Sequence, residues 1–340
     1  MSFTKNNTVS VVMSVYNSEY YLREAINSIL NQTFADFEFL IVDDGSTDNS
    51  LEIIRSFSDK RIVLIQNEKN LGLAVSLNKA IRLAKGKYIA RMDADDIAMP
   101  FRLYKQVSFM ERNIHLDLSG SWVKVFGAVK SVVWKYPAST DEIKAEILFN
   151  STFAHPSVIY RRDIFLKKGL LYDESVKRGQ DYELWSRVVK SCKVENIQEV
   201  LLHYRIHDKQ VGKVYQSGQA NTAKAIRLNL LKDLGLNTAD MEYSVHEKLS
   251  YYKTLDMHKA SNWLVKLIEA NKEARYCDEK VFNKVMVSRF WDTYSGRLKL
   301  FNGSLSLFAK SSIQRYVLLD SKIYLKHFAK LIVGFFKNVK

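Results

Sequence analysis

Four apolar runs, each closed by a polar loop and separated by helical patterns, fill the first hundred residues and restrict the fold more than any other feature. The runs are Val9 to Val15, Phe37 to Val42, Arg61 to Gln66 and Tyr88 to Met92. Between them, Glu19 to Asn31 places Tyr21, Leu22, Ala25, Ile26, Ile29 and Leu30 on one side of a helix. A second helix runs through Ile54 and Phe57 with Thr47 or Asp48 as its cap, and a third spans Leu71 to Ala84 and stops near Gly86. Parallel neighbours need a crossover, usually a helix, so this alternation predicts an α/β fold: a mostly parallel central sheet with helices on both faces. Ligands in such sheets bind beyond the carboxyl ends of the strands. Three of the four ends carry polar loops: Tyr16-Asn17-Ser18, Asp43 to Ser46, and Asp93 to Asp96.

The last loop, Asp93-Ala94-Asp95-Asp96, crowds three carboxylates into four residues. Like charges held together raise one another's pKa unless something compensates them. In an extended segment Asp93 and Asp95 point to the same side, where a hard divalent cation could join them to phosphate oxygens. The alternative is a solvated acidic turn. The first loop lacks the closely spaced glycines of a dinucleotide site, and no Walker-type Gly-Lys-Ser/Thr occurs. Phosphates bound here would therefore need a cation, which the acidic loop can hold.

The charge is uneven along the chain. Of the formal +14, residues 1–110 contribute nothing (13 basic, 13 acidic), whereas residues 220–340 carry 21 basic against 11 acidic. A basic C-terminal third implies an anionic partner. No zinc-finger spacing, KH-type loop or RNP-like strand favours nucleic acid, so an anionic membrane surface is the expected partner. No run of 18 apolar residues predicts a spanning helix. Met1 to Thr8 is too short and polar for a secretory leader, and Cys192 and Cys277 suggest neither a disulfide framework nor a zinc site. A cytoplasmic protein, peripheral at the inner face of the cytoplasmic membrane, is expected.

After a helix at Phe101 to Arg112, strand-like pieces are predicted at Ser121 to Phe126 and Val129 to Trp134, and a short helix over Thr140 to Leu148. Ser157 to Tyr160 reads as extended, 182–190 as helix and Lys193 to Tyr204 as strand. From Gln219 the pattern is helical, roughly 219–234, 241–254, 258–271 and 277–289. The expected organisation is an α/β domain over 1–218, in two parts at 1–112 and 113–218. A helical basic region follows over 219–340. In its tail, 321–340, Ile323, Leu325, Phe328, Leu331, Ile332, Phe335, Phe336 and Val339 are interspersed with five lysines. This is the composition of an interfacial helix, or of a terminal helix docked on the domain.

Val9 to Asn17, Val42-Asp43-Asp44-Gly45-Ser46-Thr47-Asp48, Asn70-Leu71-Gly72 and Gly86 to Asp96 together resemble the motifs of family 2 glycosyltransferases. The resemblance is strong over residues 8–112 and patchier to about 211. It implies a GT-A fold and inverting transfer from a nucleotide-diphosphate sugar, expected to be a UDP-sugar, to a glycan or lipid-linked glycan, assisted by Mn²⁺ or Mg²⁺. By this resemblance Tyr16 and Asn17 lie on the nucleotide side and Asp43 accepts the uracil N3–H. Asp93 lies near the ribose and sugar, Asp95 is the metal ligand, and Asp96 contacts donor or acceptor hydroxyls. Asp181, in Gly179-Gln180-Asp181, matches the general base, and His207 resembles a histidine that completes the metal or diphosphate site.

Two residues depart from the family pattern. Ser14 replaces a usual Pro, and Gln180 replaces a usual Glu, which keeps hydrogen bonding but removes a charge. Other roles stay open on the residues alone. Asp181 also suits a helix cap, Asp43 a turn and His207 a packed histidine. His155 suits loop ordering, and Trp122, Trp134 and Trp185 suit either sugar stacking or core packing. A metal-dependent nucleotidyltransferase and a non-catalytic glycan- or membrane-binding relative are the alternatives in function. The first would want a glycine- and lysine-rich loop that is missing, and intact Asp95 and Asp181 count against the second.

Overall fold

The structure, a computed structural model, describes residues 8–207, 216–253, 255–295 and 312–317. The tail 321–340, expected to seek a membrane, lies outside them. The described residues divide into two compact units, one of residues up to 140 with 151–223, the other of 141–150 with the residues from 224 on.

In the first unit, β1 (Val9–Val15), β2 (Phe37–Asp43), β3 (Ile62–Gln66) and β4 (Tyr88–Met92) form a parallel block ordered β3-β2-β1-β4. Helices α1 (Leu22–Leu30), α2 (Ser50–Arg55) and α3 (Leu73–Leu83) connect these strands. Strands buried along their whole length must be covered on both faces, and every residue of β2 and β4 is buried. Alternate residues Val9, Val11, Met13 and Val15 join Phe37, Phe39, Ile41 and Ala90 in one core with Leu22, Ile26 and Ile29 of α1. Leu103, Val107 and Met110 of α4 (Arg102–Arg112) belong to the same core.

Beyond β4 the sheet changes character. β5 (Ile97–Ala98), β6 (Leu118–Gly127), β7 (Val132–Trp134), β8 (Ile159–Arg161) and β9 (Val194–Ile206) extend it in the order β4-β8-β6-β9-β5, with β7 on β6. β8 runs antiparallel to both β4 and β6, β7 antiparallel to β6, and β5 antiparallel to β9; only β6 with β9 is parallel. Half of the pairings are thus antiparallel, and the expected mostly parallel GT-A sheet is corrected to a mixed one whose downstream half is largely antiparallel. The physical reason is the end of strand–helix alternation at α4. Past it, a turn at 128–131 joins β6 to β7 and a 3₁₀ turn, His155–Ser157, leads toward β8, and neither imposes a parallel crossover.

Helices α5 (Thr140–Glu146), α6 (Arg162–Lys167) and α7 (Gln180–Ser191) follow α4 in the chain; α7 precedes β9 and is the predicted helix near 182–190. In the second unit, helices Asp240–Ser250, Met257–Ala274 and Glu279–Ser295 bury Leu249, Leu264, Leu267, Ile268, Phe282, Met286 and Phe290. His246 is buried there as a neutral ring: its Nδ1 accepts from Trp263 Nε1 at 3.1 Å and its Nε2 donates to the Leu148 carbonyl at 2.8 Å. Burial above all pulls it down to about 3. No described helix is long and apolar enough to cross a membrane.

Candidate active site

β4 delivers the acidic loop. Arg102 of α4, fully buried, donates from Nη2 to the Arg91 carbonyl at 2.7 Å and from Nε to Gln106 Oε1 at 3.0 Å, which fixes the end of that strand. Burial and the nearby Arg91 guanidinium pull Arg102 down to about 9. Past Met92, oxygens of Asp93, Asp95 and Asp96 gather within 4.8 Å of one another. Their charges are answered in three different ways. Asp93 pairs with the buried Arg91 guanidinium. Asp95 Oδ2 lies 3.0 Å from His207 Nε2. Asp96 Oδ1 accepts the Arg205 backbone N–H at 2.8 Å, while its buried Oδ2 has no hydrogen-bond partner. Burial, then the neighbouring carboxylates, push Asp95 up and Asp96 well above the usual carboxylate range.

This arrangement fits a hard divalent cation. Three carboxylates supply oxygen ligands, one buried oxygen lacks a partner, and a positive ion would offset the repulsion that raises these groups.

The loops after β1 and β2 interlock beside this cluster. Asn17 takes a left-handed backbone (φ 50), rare outside glycine but tolerated by Asn. It is held there because its N–H donates to Ser46 Oγ at 3.1 Å and its Oδ1 accepts the Thr47 N–H at 2.8 Å. Gly45 (φ 69) permits this turn, since a Cβ there would come within 2.6 Å of the Lys69 backbone. Asp44 is buried and accepts the N–H groups of Leu71 and Gly72, both at 2.9 Å. That draws the Asn70-Leu71-Gly72 loop to the cavity wall.

On the other bank, Gly179 (φ 73) starts α7 and puts Asp181 in its first turn. Burial raises the Asp181 carboxyl, against the lowering effects of the Tyr182 N–H and the Arg91 charge. Gln180 Nε2 donates to the Lys177 carbonyl at 2.9 Å. His155 Nε2 lies 2.7 Å from the Tyr172 hydroxyl, and burial holds it neutral, well below the usual histidine range.

One cavity of about 1260 Å³ is lined by Tyr16, Asn17, Asp93, Asp95, Asp181 and His207. Asp43 and Asp96 stand outside its lining and are buried. The Asp43 carboxylate accepts the Ser46 N–H at 3.4 Å and its carbonyl accepts the Asn67 N–H at 2.9 Å. Of the three tryptophans considered for stacking, Trp185 is core and Trp122 donates to the Tyr136 carbonyl at 3.2 Å, whereas Trp134 lines the cavity.

Arg205 is the functional residue that sequence reasoning passed over. Its Nε donates to the Asp95 carbonyl at 2.8 Å and its Nη2 pairs with Glu24, while the guanidinium lies 4.4 Å from the ring centroids of both Tyr21 and Phe126. It ties β9 to the acidic loop. Its place two residues before His207 was the available signal.

Residues 10–169 match the profile of glycosyl transferase family 2. An uncharacterized glycosyltransferase of Haemophilus influenzae is 36% identical over 231 residues, covering 64% of this chain and 72% of the relative. The chain belongs to glycosyltransferase family 2. An Escherichia coli relative, the UDP-Glc:alpha-D-GlcNAc-diphosphoundecaprenol beta-1,3-glucosyltransferase WfgD, is 31% identical over 189 residues, covering 56% of this chain and 72% of WfgD. The crystal structure of Staphylococcus aureus TarS 1–349 in complex with UDP-GlcNAc shares the fold, with TM-score 0.58 and 18% identity over 85% of this chain and 91% of that one. This family 2 glycosyltransferase is an enzyme that transfers sugar from a nucleotide-sugar donor, and the acidic loop at the end of β4 could coordinate a divalent cation.

Proposed function

We propose that the enzyme transfers the sugar of a UDP-sugar, with inversion, to a hydroxyl of a glycan or lipid-linked glycan, with Asp181 as the general base. The carrying observation is that one cavity holds both the Asp93–Asp95–His207 group and, separately, a carboxylate whose pKa is raised. A raised carboxylate is a stronger base, and general base catalysis contributes about 10²–10⁴-fold. The acceptor hydroxyl hydrogen-bonds to Asp181, which takes its proton as the oxygen attacks the anomeric carbon from the face opposite the diphosphate. The new C–O bond forms as the bond to the diphosphate oxygen breaks. Tyr16, Asn17 and Asp43 serve the nucleotide, Asp93 the ribose and sugar, and Asp96 braces the loop through Arg205. Asp95 and His207, with Asp93 beside them, would hold Mn²⁺ or Mg²⁺, which when bound offsets charge on the departing diphosphate. WfgD, which joins glucose from a UDP-sugar donor to a lipid-diphosphate acceptor, supports this choice of substrates.

Calorimetry with UDP and GDP, with Mn²⁺ and with EDTA, tests the donor side. UDP should bind at least about tenfold more tightly with Mn²⁺ and in preference to GDP. Equal affinity in EDTA contradicts the metal assignment, and preference for GDP contradicts the role of Asp43.

The basic tail 321–340 is assigned to reversible attachment to an anionic bilayer, supported by its apolar and lysine composition. The full chain should sediment with anionic vesicles, and a version ending at Asp320 should not. Equal sedimentation contradicts the assignment.

A further inference from the structure

We infer that Trp134 is the platform on which the acceptor's pyranose ring stacks, and hence a residue that restricts the acceptor to ring-closed sugars. The inference rests on the glycosyltransfer reading above and names a subsite within that cavity. Trp134 ends β7 and lines the cavity, yet it is 42% exposed. An indole left open on a cavity wall that also carries Asp93, Asp95 and Asp181 offers an apolar face beside groups that can bind hydroxyls. One side of its indole is taken: the ring packs on Tyr204 with centroids 5.4 Å apart and planes tilted by 38°. The remaining surface faces open space.

The side chain is built to stay in place. Trp134 pairs with Val123 of β6, and Lys124 with Val133, so the register of the hairpin fixes which face the indole occupies. The chain just beyond is pinned at the Tyr136 carbonyl, which accepts Trp122 Nε1 and Gln198 Nε2, both at 3.2 Å. A rigid platform loses little entropy when a ring settles on it.

Trp134, Tyr136 and Tyr204 line the same cavity as Asp93, Asp95 and Asp181. Tyr204 stands in β9 three residues before His207, the partner of Asp95, so this aromatic wall shares its strand with the acidic loop's histidine partner. A sugar stacked on it would bring a hydroxyl toward Asp181.

The chemistry of the ligand follows. A pyranose in its chair form presents a patch of ring C–H groups on one face and hydroxyls around its edge, which suits an indole face bordered by carboxylates and cations. An open-chain polyol has no such face. The acceptor class is thus a glycan that ends in a pyranose, and Trp134 supplies positioning by stacking while Asp181 supplies the chemistry.

Saturation-transfer NMR on the full chain tests this, with UDP and Mn²⁺ present and three probes: methyl β-D-glucopyranoside, methyl β-D-galactopyranoside and ribitol. The account expects saturation on the ring C–H protons of at least one glycoside and none on ribitol. Trp134→Ala should weaken that glycoside roughly tenfold, Trp134→Phe should restore most of it, and UDP affinity by calorimetry should change in neither variant. Because UDP binding is read separately, loss of UDP binding in the unsubstituted protein would count against the donor reading, not the platform. The platform is overturned if neither glycoside is saturated, if ribitol is saturated equally, if Trp134→Ala leaves the signal unchanged, or if its effect falls on UDP instead.

Discussion

The two halves of the sheet contrast in how they are built and in what they bring to the cavity. The upstream half, β3-β2-β1-β4, is parallel, with β2 and β4 buried along their whole length, and ends in three loops that carry Asn17, Asp43–Asp44 and the acidic run Asp93–Asp96. The downstream half is mixed, made partly of strands two or three residues long, and brings Trp134, Tyr204 and His207. The first half gathers negative charge at one strand end. The second compensates it, through His207 against Asp95, the Arg205 guanidinium against the Asp95 carbonyl and the Arg205 backbone N–H against Asp96 Oδ1. The parallel block alone answers Asp93, through Arg91 of β4, and would leave Asp95 and Asp96 unanswered. The acidic cluster is therefore completed from the part of the chain whose architecture is least regular.

The strongest way to break this comparison is to cut the tie between the halves. Arg205→Ala removes the hydrogen bond to the Asp95 carbonyl, the pair with Glu24 and the stacking on Tyr21 and Phe126. Hydrogen bonds from a charged group contribute about 1.5–3 kcal/mol, so urea unfolding should show a loss of that order. Transfer activity should fall on the order of 10-fold or more, since small misplacements of catalytic groups carry large rate penalties. Arg205→Lys should recover little, because lysine lacks the planar fork that serves two acceptors at once. Unchanged activity with reduced stability would mean that the halves act independently.

A smaller effect sharpens the contrast between the sheet unit and the helical unit. His246 is buried neutral, with its pKa pulled from 6.5 to about 3. A base whose folded pKa is depressed contributes stability that is present in full above its unfolded value and is lost as pH falls from there toward the folded one. Unfolding free energy should therefore decline below pH 6.5 with a slope of about 1.4 kcal/mol per pH unit from this group. The slope should shrink in His246→Gln, measured against the same urea series. An identical slope in both proteins would remove His246 as its source.

Legibility in the sequence followed the same division. β1 to β4, the intervening helices and α4 could be read because long apolar runs and helical spacing recur with polar loops between them. The helices from 216 onward could be read for the same reason, and the structure describes them at Gln216–Asp233, Asp240–Ser250, Met257–Ala274 and Glu279–Ser295. Strand direction past α4 could not be read, because Ile97–Ala98 and Ile159–Arg161 are too short to show a period and direction depends on connections. The upstream regularity was carried too far, and the sheet was expected to stay parallel. In the site, Asp93, Asp95, Asp181 and His207 line one cavity, although 112 residues separate Asp95 from its histidine partner. Arg205 and the wiring of Asp44 to Leu71 and Gly72 were invisible, since each acts on backbone atoms far away in sequence.

The central claim is that Asp181 of α7 deprotonates an acceptor hydroxyl that attacks a donor sugar held at the acidic loop, and Asp181→Asn tests it most directly. Substitution by the near-isosteric amide removes the proton acceptor and leaves the Asp95 cluster untouched. Transfer to a verified acceptor should fall at least about 10²-fold, while UDP affinity by calorimetry stays within about twofold. In the unsubstituted enzyme the acid limb of kcat/KM should lie above the ordinary aspartate value of about 3.9, because burial raises Asp181 and protonation on the acid side silences the base. Near-normal turnover by Asp181→Asn, with an unchanged acid limb, would contradict the account.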